Sequence, residues 1–185
     1  MPAGQGRQEE DVRVGMKAKR SRDEFLARGM APPVATALAA RADLVRDLRA
    51  FAQSCRSAAE AAALIGVSPE RVVKSLIFMR RTAEGEEEPL LLLAPGHRRV
   101  DEARLARAVG SSVRPARAKE VKAITGFEIG AVAPVGHLRP LPTFIDKVLL
   151  AHDLVWASAG SVRAMMALAP AELCALTDAE PLDLG

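Results

Sequence analysis

Lys74 stands in the run Val72-Val-Lys-Ser-Leu-Ile-Phe-Met79, which is β-branched and apolar and therefore predicts a strand. With period-2 alternation it shares a face with Val72, Leu76 and Phe78. An ammonium on an apolar strand face is costly unless it is paired or lines a cleft. There it could hold a phosphate or polarise a carbonyl as a point charge. The plainer alternative is a lysine snorkelling out at a strand edge, and the pattern leaves both open. A second chemistry-bearing stretch is Gly126-Phe-Glu-Ile-Gly-Ala-Val-Ala-Pro-Val-Gly-His137. Glycines let a backbone approach a ligand and present successive N–H or C=O groups to it, and proline stiffens such a loop. A plain connecting loop has the same look. It is neither a P-loop nor a dinucleotide fingerprint.

Other reactive side chains are scattered. His97, His137 and His152 form no metal-ligand spacing with Cys or Asp, so neither a zinc site nor any cofactor is expected. No G-x-S-x-G elbow exists. Cys55 precedes a capped helix, whose N-terminus would lower its pKa, although such a cysteine is more often inert. Asp146 could orient Lys74 or the loop, or cap the next helix. Ser158-Ala-Gly-Ser161 reads as a tight turn.

The elements that must position these residues follow from the flanking pattern. The stretch up to about Arg22 is polar and mixed in charge and reads as a flexible tail over 1–22, leaving 23–185 as a single domain. Residues 34–51 suggest a helix with Leu38, Leu44, Val45 and Leu48 on one side. Ser57-Ala-Ala-Glu60 has the form of a capping box, and its helix would stop at Gly66. Leu90 to Ala94 is almost wholly apolar, as a strand covered on both faces would be. Asp101 to Val109 and Lys119 to Ile124 suggest helices, and 130–142 is too rich in Gly and Pro for regular structure. Thr143–Ile145 and Leu154–Ala157 read as strands. Pro170 opens a last helix, with an acidic tail after it. Intermixed strands and helices give an α/β domain with a mixed sheet.

Composition narrows the function classes. The chain has 185 residues, 49% hydrophobic and 26% charged, which fits one domain with a real core. No apolar run approaches the ~20 residues of a membrane span, the N-terminus lacks a signal-peptide h-region, and two cysteines suggest a reducing compartment. A cytoplasmic protein is expected. The formal charge of +3 allows a polyanion partner without requiring one. Aromatics are 3%, with no Tyr and one Trp, so gripping single strands by base stacking is not expected.

The blocks AAEAAALIGVSPERVVKSLIFM, LLLLAPGHRRVDEARLARAVG, KEVKAITGFEIGAVAPVGH, LPTFIDKVLLAHDLVWASAG and LAPAELCALT, in this order across Ala50 to Thr177, resemble the YbaK/ProX family of aminoacyl-tRNA deacylases. These are trans-editing relatives of the insertion domain of bacterial prolyl-tRNA synthetase. The run looks closer to the ProX-like members than to the Cys-tRNA(Pro) deacylase branch. The resemblance implies a mixed β-sheet with surrounding helices and a cleft for a tRNA 3′ end. It implies hydrolysis of the ester joining a small wrong amino acid, such as Ala or Ser, to tRNA(Pro) or a similar tRNA. The family's lysine falls on Lys74, its Gly-x-x-x-Pro loop on Gly130 and Pro134, and its later motif residues on Gly136 and His137. Its aspartate falls on Asp146 and its late glycine on Gly160. Many members have a second glycine where this chain has Ala131, which would be strained if φ there were positive. On this reading Lys74, Gly130 and Asp146 are catalytic, and Ala131, Val132, Ile77 and Phe78 wall the aminoacyl site. The expected partners are mischarged aminoacyl-tRNA, a synthetase or an elongation factor, and no membrane. Two rivals share the fold class: a tRNA-end or nucleotide binding module that hydrolyses nothing, and a domain acting through protein partners.

Overall fold

The computed structural model describes residue 19 and residues 21–185; the expected tail therefore lies largely outside the described residues. Residues 21–27 are helical (α1). There follow α2 (Pro32–Leu38), a 3₁₀ turn (Ala39–Leu44), β1 (Asp47–Ala50), α3 (Ala58–Ile65), β2 (Val73–Arg81), β3 (Glu87–Pro95), α4 (Glu102–Ala108) and β4 (Val113–Pro115). Then come α5 (Ala118–Thr125), β5 (Thr143–Asp146), a 3₁₀ turn (Lys147–Ala151), β6 (Val155–Ser161), β7 (Ala164–Leu168), α6 (Pro170–Thr177) and β8 (Glu180–Leu182). Among the described residues two sheets form, in the orders β1-β7-β6 and β4-β2-β3-β5-β8. The larger is mixed: β2–β3 and β2–β4 are antiparallel, β3–β5 and β5–β8 parallel. Among the described residues, one isolated parallel bridge, Val72 to Trp156, joins the sheets just before β2 begins. The mixed α/β class read from the sequence is the class observed.

The apolar run becomes β3 at the centre of the larger sheet, and Leu90 to Leu93 are wholly inaccessible to solvent. Leu91 and Leu93 join the main core between the sheets, while Leu90 and Leu92 pack with Phe78, Leu105 and Phe144 on the other face. Truncating such a leucine to alanine costs ~2–5 kcal/mol. A third cluster, built on Trp156, Val72 and Met165, seats α3 through Ala61, Ala62 and Ile65. Among the described residues, no helix is long and apolar enough to cross a membrane.

Three local expectations change. The helix expected over 34–51 ends at Leu38 and kinks at Arg41 (φ −126°, ψ 34°), and Leu48 lies on β1, where it pairs with Met166. Ser158 to Ser161 is the end of β6 with an irregular register against β7, not a tight turn. The acidic C-terminal stretch adds β8 to the sheet edge. Leu48 and the C-terminal stretch are claimed by strands distant in sequence, and Ser158 to Ser161 by the adjoining strand of its own hairpin.

Candidate active site

The α3 N-terminus is fixed by short-range bonds that its sequence predicts. The Ser57 side chain accepts the Glu60 N–H at 3.1 Å, and the Glu60 carboxylate accepts the Arg56 N–H at 2.9 Å. The Cys55 N–H donates to the Val162 carbonyl at 2.7 Å and ties this turn to the β6–β7 connection. The turn and the first residues of α3 face the start of β2, and a cleft of about 410 Å³ lies between them. Val73, Lys74, Ser75 and Leu76 supply one wall, and Ile129, Gly130 and Val132 another. Gly96, Ser158, Ser161 and Met165 complete it.

Lys74 is half-buried and its Nζ donates to the Arg98 carbonyl. Burial pushes the ammonium below its ordinary pKa, and the charges of Arg98 and Arg99 push it further the same way. Among the described residues it forms no ion pair, whereas Arg98 is paired with Asp146. The cleft therefore holds an uncompensated cation in a positive local field. That is a setting in which a phosphate or a developing oxyanion gains more than it would in water.

Gly130 takes φ +88°, a left-handed conformation that glycine adopts without strain. Ala131 does not have positive φ, so the alanine in place of a second glycine carries no such strain. Its N–H donates to the Glu128 carbonyl at 3.0 Å, and its carbonyl accepts the Ser158 hydroxyl at 3.1 Å. Ser158 Oγ also accepts the Gly160 N–H at 3.1 Å, so the irregular end of β6 holds the loop in register over the cleft. Ile129, 60% exposed, stands at the rim.

No side chain in the cleft is primed as a nucleophile. The Cys55 thiol is buried and burial raises its pKa, so the helix N-terminus does not activate it. The Ser75 hydroxyl is buried and, among the described residues, lacks any hydrogen-bond partner. Such an unpaired donor costs ~1–3 kcal/mol until something accepts from it. No group of three His, Cys, Asp or Glu among the described residues could hold a metal ion.

The remaining sequence candidates lie elsewhere. Asp146, 2% exposed, is not on the cleft wall; its carboxylate takes the Arg98 guanidinium at 2.5 Å and caps the Val148 N–H at 3.1 Å. It reaches Lys74 only through Arg98, whose side chain it holds and whose carbonyl Lys74 holds. Pro134, Gly136 and His137 border a separate hollow with Leu138 and Phe144. His137 is bonded to the Ala133 carbonyl at 2.7 Å and meets the Phe127 ring edge-on; burial lowers its pKa. Gly160 packs against Ala31, Val34 and Phe127. Ile77 and Phe78 sit in the core, beyond the part of β2 that borders the cleft. Sequence reasoning missed Ser75, Gly96, Arg98 and Met165. The signal for Arg98 and Arg99 was the His-Arg-Arg run directly after Pro95-Gly96; nothing local pointed to Met165.

Fold and cleft together define a class: a mixed α/β domain with a cleft bordered by a lone cation and a left-handed glycine, without an activated nucleophile. Residues 52–176 match the aminoacyl-tRNA editing domain family, and the chain belongs to that family. Its activity is that of an aminoacyl-tRNA deacylase. A protein of Enterococcus faecalis, provisionally named Cys-tRNA(Pro)/Cys-tRNA(Cys) deacylase EbsC, is 26% identical over 132 residues, covering 71% of this chain and 78% of that one. Proline–tRNA ligase of Pelotomaculum thermopropionicum is 40% identical over 83 residues, 44% of this chain and 14% of that one. The crystal structure of a protein provisionally described as a trans-editing enzyme for prolyl-tRNA synthetase superposes with a TM-score of 0.69 at 36% identity, over 91% of this chain and 96% of that one.

Proposed function

We propose that the protein is a trans-editing deacylase that removes a small wrong amino acid from the 3′ end of tRNA(Pro) or a similar tRNA. The observation that carries this reading is the meeting of Lys74, Gly130 and Val132 around one cleft. Lys74 anchors the phosphate or ribose of the terminal nucleotide. The backbone at Gly130 to Val132 holds the aminoacyl group and steadies oxyanion charge as it develops. The substrate ester is already activated, so water or a group on the substrate serves as nucleophile, placed by positioning. Asp146 acts at one remove, by fixing Arg98.

Selection is by size. Val132, Leu76 and Met165 bound the cleft, and one methylene is worth ~1–3 kcal/mol in such a space. The relative in E. faecalis bears a cysteine-specific name, so cysteine joins alanine and serine as a candidate side chain. A synthetase is the natural partner on this reading, and the cytoplasm the natural setting.

The test is a deacylation panel of Ala-, Ser-, Cys- and Pro-tRNA(Pro) at substoichiometric protein. Repeated release of one small amino acid, with Pro spared, is the expected result. Retardation of the tRNA without release would assign a binding module instead. Lys74→Ala activity within a few-fold of wild type would remove Lys74 from the mechanism.

A further inference from the structure

Beside the cleft lies a second hollow of about 230 Å³. The segment Pro95 to Arg99 forms the ridge between them: Gly96 borders the cleft, while Pro95, Arg98 and Arg99 border the hollow. The ridge is tied to the cleft by the Lys74 bond to the Arg98 carbonyl. Arg104 enters the hollow from α4. Three arginines and two aspartates, Asp101 and Asp146, thus line one small space, with one positive charge in excess. Two of the arginines are held in place: Arg98 by the Asp146 carboxylate and the Gly185 carbonyl, and Arg104 by the Leu184 carbonyl at 3.2 Å and by Asp101 at 3.7 Å. The third, Arg99, is exposed and, among the described residues, pairs with no acid. Its charge nonetheless reaches Lys74 across the ridge.

We infer that this arginine hollow is a phosphodiester subsite, taking the backbone of the RNA strand immediately upstream of the nucleotide held in the cleft. The inference rests on the deacylase reading for its ligand, since a terminal nucleotide in the cleft leads the strand over the ridge. Arginine suits the task, because its planar fork matches phosphate oxygens and it never deprotonates. The carbonyl oxygens of Leu184 and Gly185 engage two of the forks from within the chain. Arg99 is the residue free to make a new contact. The binding is electrostatic, so it gives affinity and register rather than sequence selection.

The test uses the full chain and a short single-stranded RNA ending in CCA, with affinity read by fluorescence anisotropy across a salt series. Arg99→Ala is the main variant, since an exposed, unpaired side chain leaves the fold intact. Arg139→Ala, which borders the separate hollow near His137, controls for net charge. Arg99→Ala should weaken RNA binding about fivefold and lower the slope of log K against log salt by ~0.7, the value for one lost single-strand phosphate contact. Equal affinity and slope in Arg99→Ala and wild type would overturn the inference. So would an equal loss in Arg139→Ala. In deacylation, the Arg99→Ala loss in kcat/KM should be at least about fivefold larger on mischarged tRNA than on an aminoacyl-adenosine ester, which lacks the phosphodiester. Equal losses on the two would also overturn it. If the wild-type protein hydrolyses neither substrate, the deacylase reading falls while the RNA-binding series still decides the hollow.

Discussion

The glycine-rich stretch 126–137 divides at the buried Ala133. Its first half borders the cleft, and its second half borders a hollow on another face. Both halves carry a left-handed glycine, Gly130 at φ +88° and Gly136 at φ +82°. What surrounds them differs. A Cβ on Gly130 would find only ordinary contact, 3.6 Å from the Arg56 carbonyl oxygen, whereas one on Gly136 would lie 2.8 Å from the Pro33 carbonyl carbon. The first glycine shapes the backbone beside the cleft, and the second lets the loop press onto α2. One motif in the sequence thus serves positioning at one end and packing at the other.

The largest break in that comparison is Gly136→Ala. It adds strain of ~1–2 kcal/mol for positive φ to ~1–3 kcal/mol of overpacking against immovable backbone. Chemical denaturation should show a loss of ~2–5 kcal/mol, with kcat/KM of the folded fraction within a few-fold of wild type. A stability change below 1 kcal/mol would mean that α2 yields readily and the packing half is looser than described.

Lys74→Ala should do the reverse, with kcat/KM falling about 100-fold, equivalent to ~2.7 kcal/mol of transition-state stabilisation, and little change in stability. Gly130→Ala should fall between them, costing ~1–2 kcal/mol in stability and about tenfold in kcat/KM. Similar stability losses for Gly130→Ala and Gly136→Ala, with activity spared in both, would erase the distinction between the halves.

The pH dependence sharpens the same contrast. The Lys74 pKa is lowered from 10.5 by burial and by Arg98 and Arg99, so the unfolded chain binds more protons in the window between the folded value and 10.5. Lys74 therefore makes stability rise with pH across that window, relative to Lys74→Ala. Activity that needs the ammonium falls across the same window. Opposed trends in a denaturation series and a pH–rate profile are the expected outcome; activity rising through the window would show that the neutral amine is the working form. The smallest effect is expected for Ala131→Gly. With no positive φ to relieve, glycine adds unfolded-state entropy and removes a buried methyl, so stability should drop by ~1–2 kcal/mol and the tRNA preference should hold. A gain in stability would show that Ala131 is strained.

Much of this was readable along the chain. The capping box at Ser57 and Glu60, the all-buried run at Leu90 to Leu93, the stop at Gly66 and the ordered blocks are local patterns whose physics is settled within a few residues. Lys74 stood out as a charge in an apolar strand, and the 126–137 loop as a proline-stiffened glycine run, while Gly130 itself was marked only by the family resemblance. The sequence could not show that Asp146 would turn away from the cleft to hold Arg98, nor that Ile77 and Phe78 would be spent on the core. Those outcomes depend on how the residue before β2 is bridged to β6 and on which residue the end of β5 meets, and both are set by pairings distant in sequence. Nor could it tell Gly130 from Gly136, because glycine's tolerance of positive φ is intrinsic while the space beside it belongs to α2 and Arg56. Residue type and spacing supplied the chemistry on offer. The packing of the two sheets decided which groups share a cleft, because desolvation and charge act through a few ångströms of space rather than along the chain.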